Sequence, residues 1–127
     1  MIQMSQAARR WQQGELVLEA HAAPGELRVV WSGRSVERDP ARFLGPLLAE
    51  LVETCRTAGA RLRMDFTRLE LMNSSTFTPI VKVIDQARKA GVVIALEYAQ
   101  AKKWQALSFS ALRTFETSDG SVAVLGR

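Results

Sequence analysis

The segment Met72-Asn73-Ser74-Ser75-Thr76 carries the side chains with the most chemistry to offer. One amide and three hydroxyls stand in a row there, and Phe77, Ile80, Val81, Ile84 and Ala87 then recur at helical spacing. Hydroxyls at a helix start have two roles. One caps the unpaired N–H groups of the first turn. The other presents an exposed oxygen beside the positive end of the helix, where an added anion such as phosphate is tolerated. Pro79 limits how far back the regular helix extends, which puts Ser74 and Ser75 at or just before its first turn. A cap needs only one such residue, so residue types alone leave both roles open.

The remaining reactive residue types do not assemble. Asp65 and Glu70 flank the loop before this segment, without a histidine or a nucleophile elbow beside them, and read as loop-ordering or solvated carboxylates. The one cysteine, Cys55, falls on the apolar stripe of a predicted helix and reads as a small buried hydrophobe. The one histidine, His21, lies in a strand-like run. This ligand inventory is too poor for the usual zinc site, so no metal is expected. The 8 glycines form no phosphate-cradling loop, and no cofactor is expected. The net charge of +4 is spread over basic pairs (Arg9-Arg10, Arg61 with Arg63, Arg88-Lys89, Lys102-Lys103) with no stripe or module, so nucleic acid is not the expected partner.

The elements that must position the hydroxyl segment are legible from periodicity. The length of 127 residues and an apolar content of 47% suit one soluble domain. No apolar run approaches the roughly 20 residues of a membrane span, and the start does not read as a secretory signal. A cytoplasmic protein is expected. Residues 1–14 read as an N-terminal arm or short helix, with Ile2, Met4, Ala7, Ala8 and Trp11 at helix-like spacing, and 15–127 as a single domain. Strand-like runs at 15–20 and 27–31 flank Ala23-Pro24-Gly25-Glu26 and predict an antiparallel hairpin. Asp39-Pro40 predicts a lead-in turn and Pro46 the start of the surer helix, whose stripe is Leu47, Leu48, Leu51, Val52 and Cys55. A half-buried strand at 61–66 and a helix at 75–90 closed by Gly91 follow. The apolar run at 92–96 predicts a strand buried on both faces of a parallel sheet. A third helix at 102–115 aligns Trp104, Leu107, Ala111 and Phe115, and a last strand occupies 121–125. The expected fold is α/β: a mixed, mostly parallel sheet of four to five strands, opened by the hairpin and covered by three main helices. Phe66 and Asn73 are expected at the strand-end rim. Leu48, Leu51, Ile80, Ile84, Ile94, Leu96 and Leu107 are expected in the core.

The stretch from Met64-Asp65-Phe66 through Leu71-Met72-Asn73-Ser74-Ser75-Thr76 resembles the signature of STAS domains, the bacterial anti-sigma factor antagonist family. That signature is an apolar strand with an Asp, a short loop, then Asp-Ser-Ser-Gly opening a helix. Val29-Val30-Trp31-Ser32-Gly33 looks like the family's second strand ending in Gly, and Lys89-Ala90-Gly91-Val92 like its return into the fourth strand. The resemblance covers roughly residues 27–115. It implies a STAS-like regulatory protein that acts by binding proteins and does no catalysis. It also implies a phosphoacceptor at Ser75, with Ser74 and Thr76 as fallbacks, inside a partner-binding segment Asn73, Ser74, Ser75 and Thr76. The implied partners are a serine kinase acting as anti-sigma factor and a PP2C-type phosphatase, with oligomeric state left open. This chain has Asn73 where the family usually has Asp, and Thr76 where it usually has Gly. The first change removes a charge beside the hydroxyls, and the second adds bulk and restricts the backbone. A divergent branch fits these departures, with Trp104-Gln105 as a further mark of it. The alternative is a STAS-like scaffold that is never phosphorylated, an accessory subunit of a transporter or signalling complex. A small enzyme built on Cys55 or Asp65 is the reading from another class, and it lacks a base–nucleophile pair.

Overall fold

The computed structural model describes residues 8–127. Strands β1 (Arg9–Gln13), β2 (Leu16–Ala23) and β3 (Glu26–Ser35) form an antiparallel meander. Helix α1 (Pro40–Ala58), strand β4 (Arg61–Met72), helix α2 (Phe77–Ala90), strand β5 (Ile94–Tyr98), helix α3 (Lys103–Leu112) and strand β6 (Val122–Gly126) complete the chain. The sheet has six strands in chain order, and β3, β4, β5 and β6 run parallel. The α/β class, the hairpin and the three helices are as the periodicities predict. The sixth strand is β1, where a helix or loose arm was expected. Gly14 at φ 58° turns the chain back, so Trp11 lies opposite Leu18 and packs against the core from the sheet edge. The remainder of the expected arm, residues 1–7, lies outside the described residues.

The strand order explains where the core sits. Each crossover steps one strand further in the same direction, and right-handed crossovers then put every helix on the same face of the sheet. That face carries Leu18, Val29, Trp31, Leu62, Met64, Ile94, Leu96 and Val124, all buried. An aromatic chain runs through it, from Trp31 to Phe66 (4.6 Å), to Phe109 (4.8 Å), to Tyr98 (5.6 Å). Among the described residues no helix covers the reverse face. The 92–96 run is therefore not a strand buried on both sides. The strand begins at Ile94, Val93 is 40% exposed, and the reverse side of β5 holds Ala95 and Glu97.

Two helices differ from expectation in instructive ways. The first starts at Pro40, its first helical residue, and carries Pro46 inside it. Gly45 precedes that proline, and without a Cβ it escapes most of the clash that drives the residue before proline out of helical conformation. Leu44 thereby joins Leu47, Leu48, Leu51, Val52 and Cys55 on the buried stripe. In α3 the buried residues are Gln105, Phe109 and Leu112, and Leu107, expected in the core, is 75% exposed. The helix is rotated by the demands of Gln105, described below. Two truncations test this assignment. Ile94→Ala should cost about 2–5 kcal/mol in chemical denaturation, while Leu107→Ala should stay within about 0.5 kcal/mol of wild type.

Candidate protein-binding site at the end of β4

β4 is twice as long as its alternating segment predicts because it is bulged. Val30 pairs with Asp65 but Ser32 with Arg68, and Gly33 with Leu69 but Arg34 with Leu71. Each step inserts an extra residue on the β4 side, and such bulges bend a strand and re-aim its side chains. Phe66 is accordingly buried in mid-strand and not at the rim, while Asn73 follows the strand end directly. β5 pairs with β4 only over Leu62–Asp65, so the bulged half must find other hydrogen-bond partners.

Side chains supply them. Asp65 Oδ1 accepts from the backbone N–H (2.8 Å) and hydroxyl (2.6 Å) of Thr67, fixing the first bulge. Gln105, wholly buried, donates through Nε2 to the carbonyls of Phe66 (2.7 Å) and Leu69 (2.9 Å), and its Oε1 accepts from the Ala99 N–H (2.7 Å). Lys102 Nζ donates to the carbonyls of Thr67 (2.8 Å) and Leu69 (3.2 Å). The start of α3 is thus bolted to the strand that delivers the hydroxyl segment. Sequence reasoning missed this role for Lys102 and Gln105. The available signal was a glutamine in a helix whose neighbours are apolar.

Beyond Met72 the chain makes a short 3-10 turn, Ser74–Thr76, before α2. A second polar lock holds it. Thr76 is 0% exposed; its hydroxyl lies 2.7 Å from Ser35 Oγ and donates to Asn73 Oδ1 (2.8 Å). Asn73 Nδ2 donates to the Glu37 carbonyl (2.8 Å), and the Asn73 backbone N–H donates to the Ser35 carbonyl (2.9 Å). The ends of β3 and β4 and the start of α2 are joined through these four residues. Thr76 sits at φ −73°, ψ −22°, so the position where the STAS signature has Gly needs no positive φ here, and threonine fits without backbone strain. Ser74 and Ser75 are both exposed, and neither the turn nor α2 has a side-chain cap. The structure therefore brings the four residues into one turn but divides them: Asn73 and Thr76 hold it, and Ser74 and Ser75 face solvent. Burial of Thr76 argues against it as an acceptor.

The carboxylates on the reverse sheet face are structural. Asp65 pairs with Arg28, and Glu97 pairs with Arg63 (2.6 Å) and Arg127. Burial pushes the Asp65 carboxyl up, but hydrogen bonds from Thr67 and Arg28 outweigh it and hold the group below its usual range. Burial likewise raises Glu97, and Arg63 and Arg127 more than reverse it. Folded values below unfolded ones mean stabilisation present above the ordinary carboxylate range and lost as pH falls through the folded values. Stability should therefore fall in acid from about pH 5 downward. Asp65→Asn and Glu97→Gln should each flatten that limb in denaturation curves measured between neutral and acid pH.

Residues with catalytic potential stay apart. Cys55 is 0% exposed, and burial pushes its thiol up to about 11, far from a reactive thiolate at neutral pH. His21 is half-exposed near Glu19 (3.3 Å) and stands across from Arg28, which lies between it and Asp65 on the reverse sheet face, while Cys55 is buried in α1 on the helix-covered face. Among the described residues no three His, Cys, Asp or Glu side chains group as a metal site, and no helix is long and apolar enough to cross a membrane.

No family model and no curated protein matches the chain. Solved structures do. The crystal structure of apo-SiaC from Pseudomonas aeruginosa superposes with a TM-score of 0.70 at 17% identity, over 95% of this chain and 98% of that one. A chain of the crystal structure of diguanylate cyclase SiaD in complex with its activator SiaC, from the same organism, matches with a TM-score of 0.63 at 18% identity, over 94% of this chain and 99% of that one. At such identity the likeness is one of fold, and it establishes for this chain the STAS-like α/β architecture of SiaC.

Proposed function

We propose that this chain is a protein-binding regulatory module, without catalysis of its own, whose partner contact is switched by phosphorylation at Ser75, with Ser74 as the alternative acceptor. The observation that carries the reading is the division of labour in the 73–76 turn. Two hydroxyls are exposed and uncommitted, on a turn held rigid by Asn73, Thr76 and Ser35. A phosphate there adds about −1.5 to −2 charges beside the positive end of α2, which tolerates it, and places an anion in a surface that a partner must otherwise desolvate. The fold shared with SiaC, named as the activator in a complex with a diguanylate cyclase, supports the protein-binding half of the reading. The partners that fit the switch are a serine kinase of the anti-sigma type and a PP2C-type phosphatase. The kinase consumes ATP, which is abundant in the cytoplasm, so we place the module there.

The SiaC complex also favours a second reading, an accessory subunit of a signalling enzyme that binds without being phosphorylated. Phosphopeptide mass spectrometry on the protein from its native cells separates the two. The switch expects phosphate on Ser75 or Ser74 and none on Thr76. A stable co-purifying partner with no phosphate on any of the three makes the accessory subunit the better account.

A further inference from the structure

The sheet has two open edges, β1 and β6, and the sequence treats them differently. An open edge offers unpaired N–H and C=O groups to any other strand, and proteins blunt it with charge or cover it. β1 carries Arg9 and Arg10, both exposed, long charged side chains that suit an edge. β6 has no such protection of its own. Its run Val122-Ala123-Val124-Leu125-Gly126 holds neither charge nor proline, a composition that invites strand addition.

The hydrogen bonds show which groups of β6 face outward. Ile94 N–H donates to the Ser121 carbonyl (2.9 Å) and Arg127 N–H to the Tyr98 carbonyl (2.8 Å), so 121 and 127 are turned toward β5. Successive residues of a parallel strand turn to alternate sides, which aims the backbone groups of Val122, Val124 and Gly126 away from β5. Among the described residues no strand lies beyond them. The segment after the 3-10 turn Arg113–Phe115 lies there instead. Thr117 exchanges two bonds with Val122: its N–H donates to the Val122 carbonyl (3.2 Å), and its hydroxyl accepts from the Val122 N–H (3.0 Å). Glu116 Oε2 accepts from the Val124 N–H (2.9 Å). Glu116 is exposed, and among the described residues no cation pairs with it.

We propose that Glu116 and Thr117 form a latch that closes the β6 edge against a second copy of this chain. The strand kept out is a second β6. Two such edges related by a twofold axis through Val124 pair antiparallel, with Val124 against Val124 and Val122 against Gly126. All of these are outward-facing residues, so the register is self-complementary. It needs the Val124 N–H of both copies, and Glu116 holds that group in each. The proposal does not rest on the regulatory reading above or on which serine is modified.

Sedimentation of the full chain over a concentration series tests it. Wild type should remain monomeric. Glu116→Ala frees the Val124 N–H and should associate at least about tenfold more tightly, as expected for one charge-assisted hydrogen bond. Thr117→Val, which withdraws the acceptor from Val122, should act in the same direction. Glu116→Gln keeps an acceptor oxygen at the same reach and should stay near wild type. Leu125 is 39% exposed on this strand, and adding Leu125→Lys to Glu116→Ala should restore the monomer by charging the edge. That reversal separates edge pairing from aggregation through unfolding, which a surface lysine on β6 does not cure. Concentration-dependent amide shifts in isotope-labelled Glu116→Ala should map to residues 116–126. The proposal is overturned if Glu116→Ala and Thr117→Val associate no more than wild type, or if Glu116→Gln associates as strongly as Glu116→Ala. It is also overturned if Leu125→Lys leaves the association intact, if the shifts map away from β6, or if wild type already pairs through β6.

Discussion

Gln105→Leu should destabilise the protein by about 3 kcal/mol or more, although leucine is apolar, fills similar volume and is the better residue for a core by composition. The glutamine serves two carbonyls and one N–H, those of Phe66, Leu69 and Ala99. Each buried backbone group left unpaired costs about 1–3 kcal/mol. Lys102 still reaches the Leu69 carbonyl, which softens one of the three losses. Gln105 is 0% exposed, so water has no path to replace it without opening the structure. Gln105→Glu should fare no better, since a carboxylate accepts from Ala99 but cannot donate to the two carbonyls, and it buries a charge. Equilibrium denaturation in urea checks both variants. A loss below about 1 kcal/mol for Gln105→Leu would show that the β4 bulges do not depend on α3.

Gln105 also explains where the sequence was opaque. Periodicity identifies a helix face by its apolar residues, and in α3 that rule selects Trp104, Leu107 and Ala111. The buried face is instead organised by a polar residue that satisfies backbone groups on another element, and no local pattern reveals such a long-range debt. The same cause hid the length of β4. Bulges break the period of two, so Thr67 to Met72 read as a loop when they are strand. The apolar run at 92–96 misleads for a different reason. Continuous apolar character suggests two-sided burial, but only strand order tells which faces the crossovers cover, and here it is one. By contrast, the stripe of α1, the hairpin about Pro24-Gly25 and the stop at Gly91 rest on local chemistry and stand where that chemistry puts them. In α2, Ile80, Ile84 and Ala87 are buried as the spacing predicts, but Val83 is buried where Phe77 and Val81 are half-buried. The 73–76 turn was legible as a locus but not in its internal division. That Thr76 faces inward depends on Ser35, 41 residues away in the chain.

Ser75→Ala should leave stability within about 0.5 kcal/mol of wild type, because the side chain is exposed and caps nothing. Its effect should fall wholly on regulation. The variant should stay bound to its partner under conditions that release the wild type. Phosphorylation of the native serine should weaken the complex by about a hundredfold or more, the consequence of forcing close to two charges into a desolvating contact. Ser75→Glu should weaken it less, since a carboxylate has less charge and fewer acceptor oxygens than a phosphate. Differential melting of the free variants, alongside partner affinity by titration calorimetry, separates a binding effect from a folding one.

The most direct measurement follows phosphate and partner together. Tagged wild type, Ser75→Ala and Ser75→Glu are recovered from native cells, and each preparation is split into partner-bound and free pools for phosphopeptide quantification. The account predicts that phosphate on Ser75, or on Ser74, is confined to the free pool, that Ser75→Ala lies in the bound pool, and that Ser75→Glu is shifted toward the free one. Equal phosphate occupancy in the two pools, with all three proteins holding the partner alike, would contradict it.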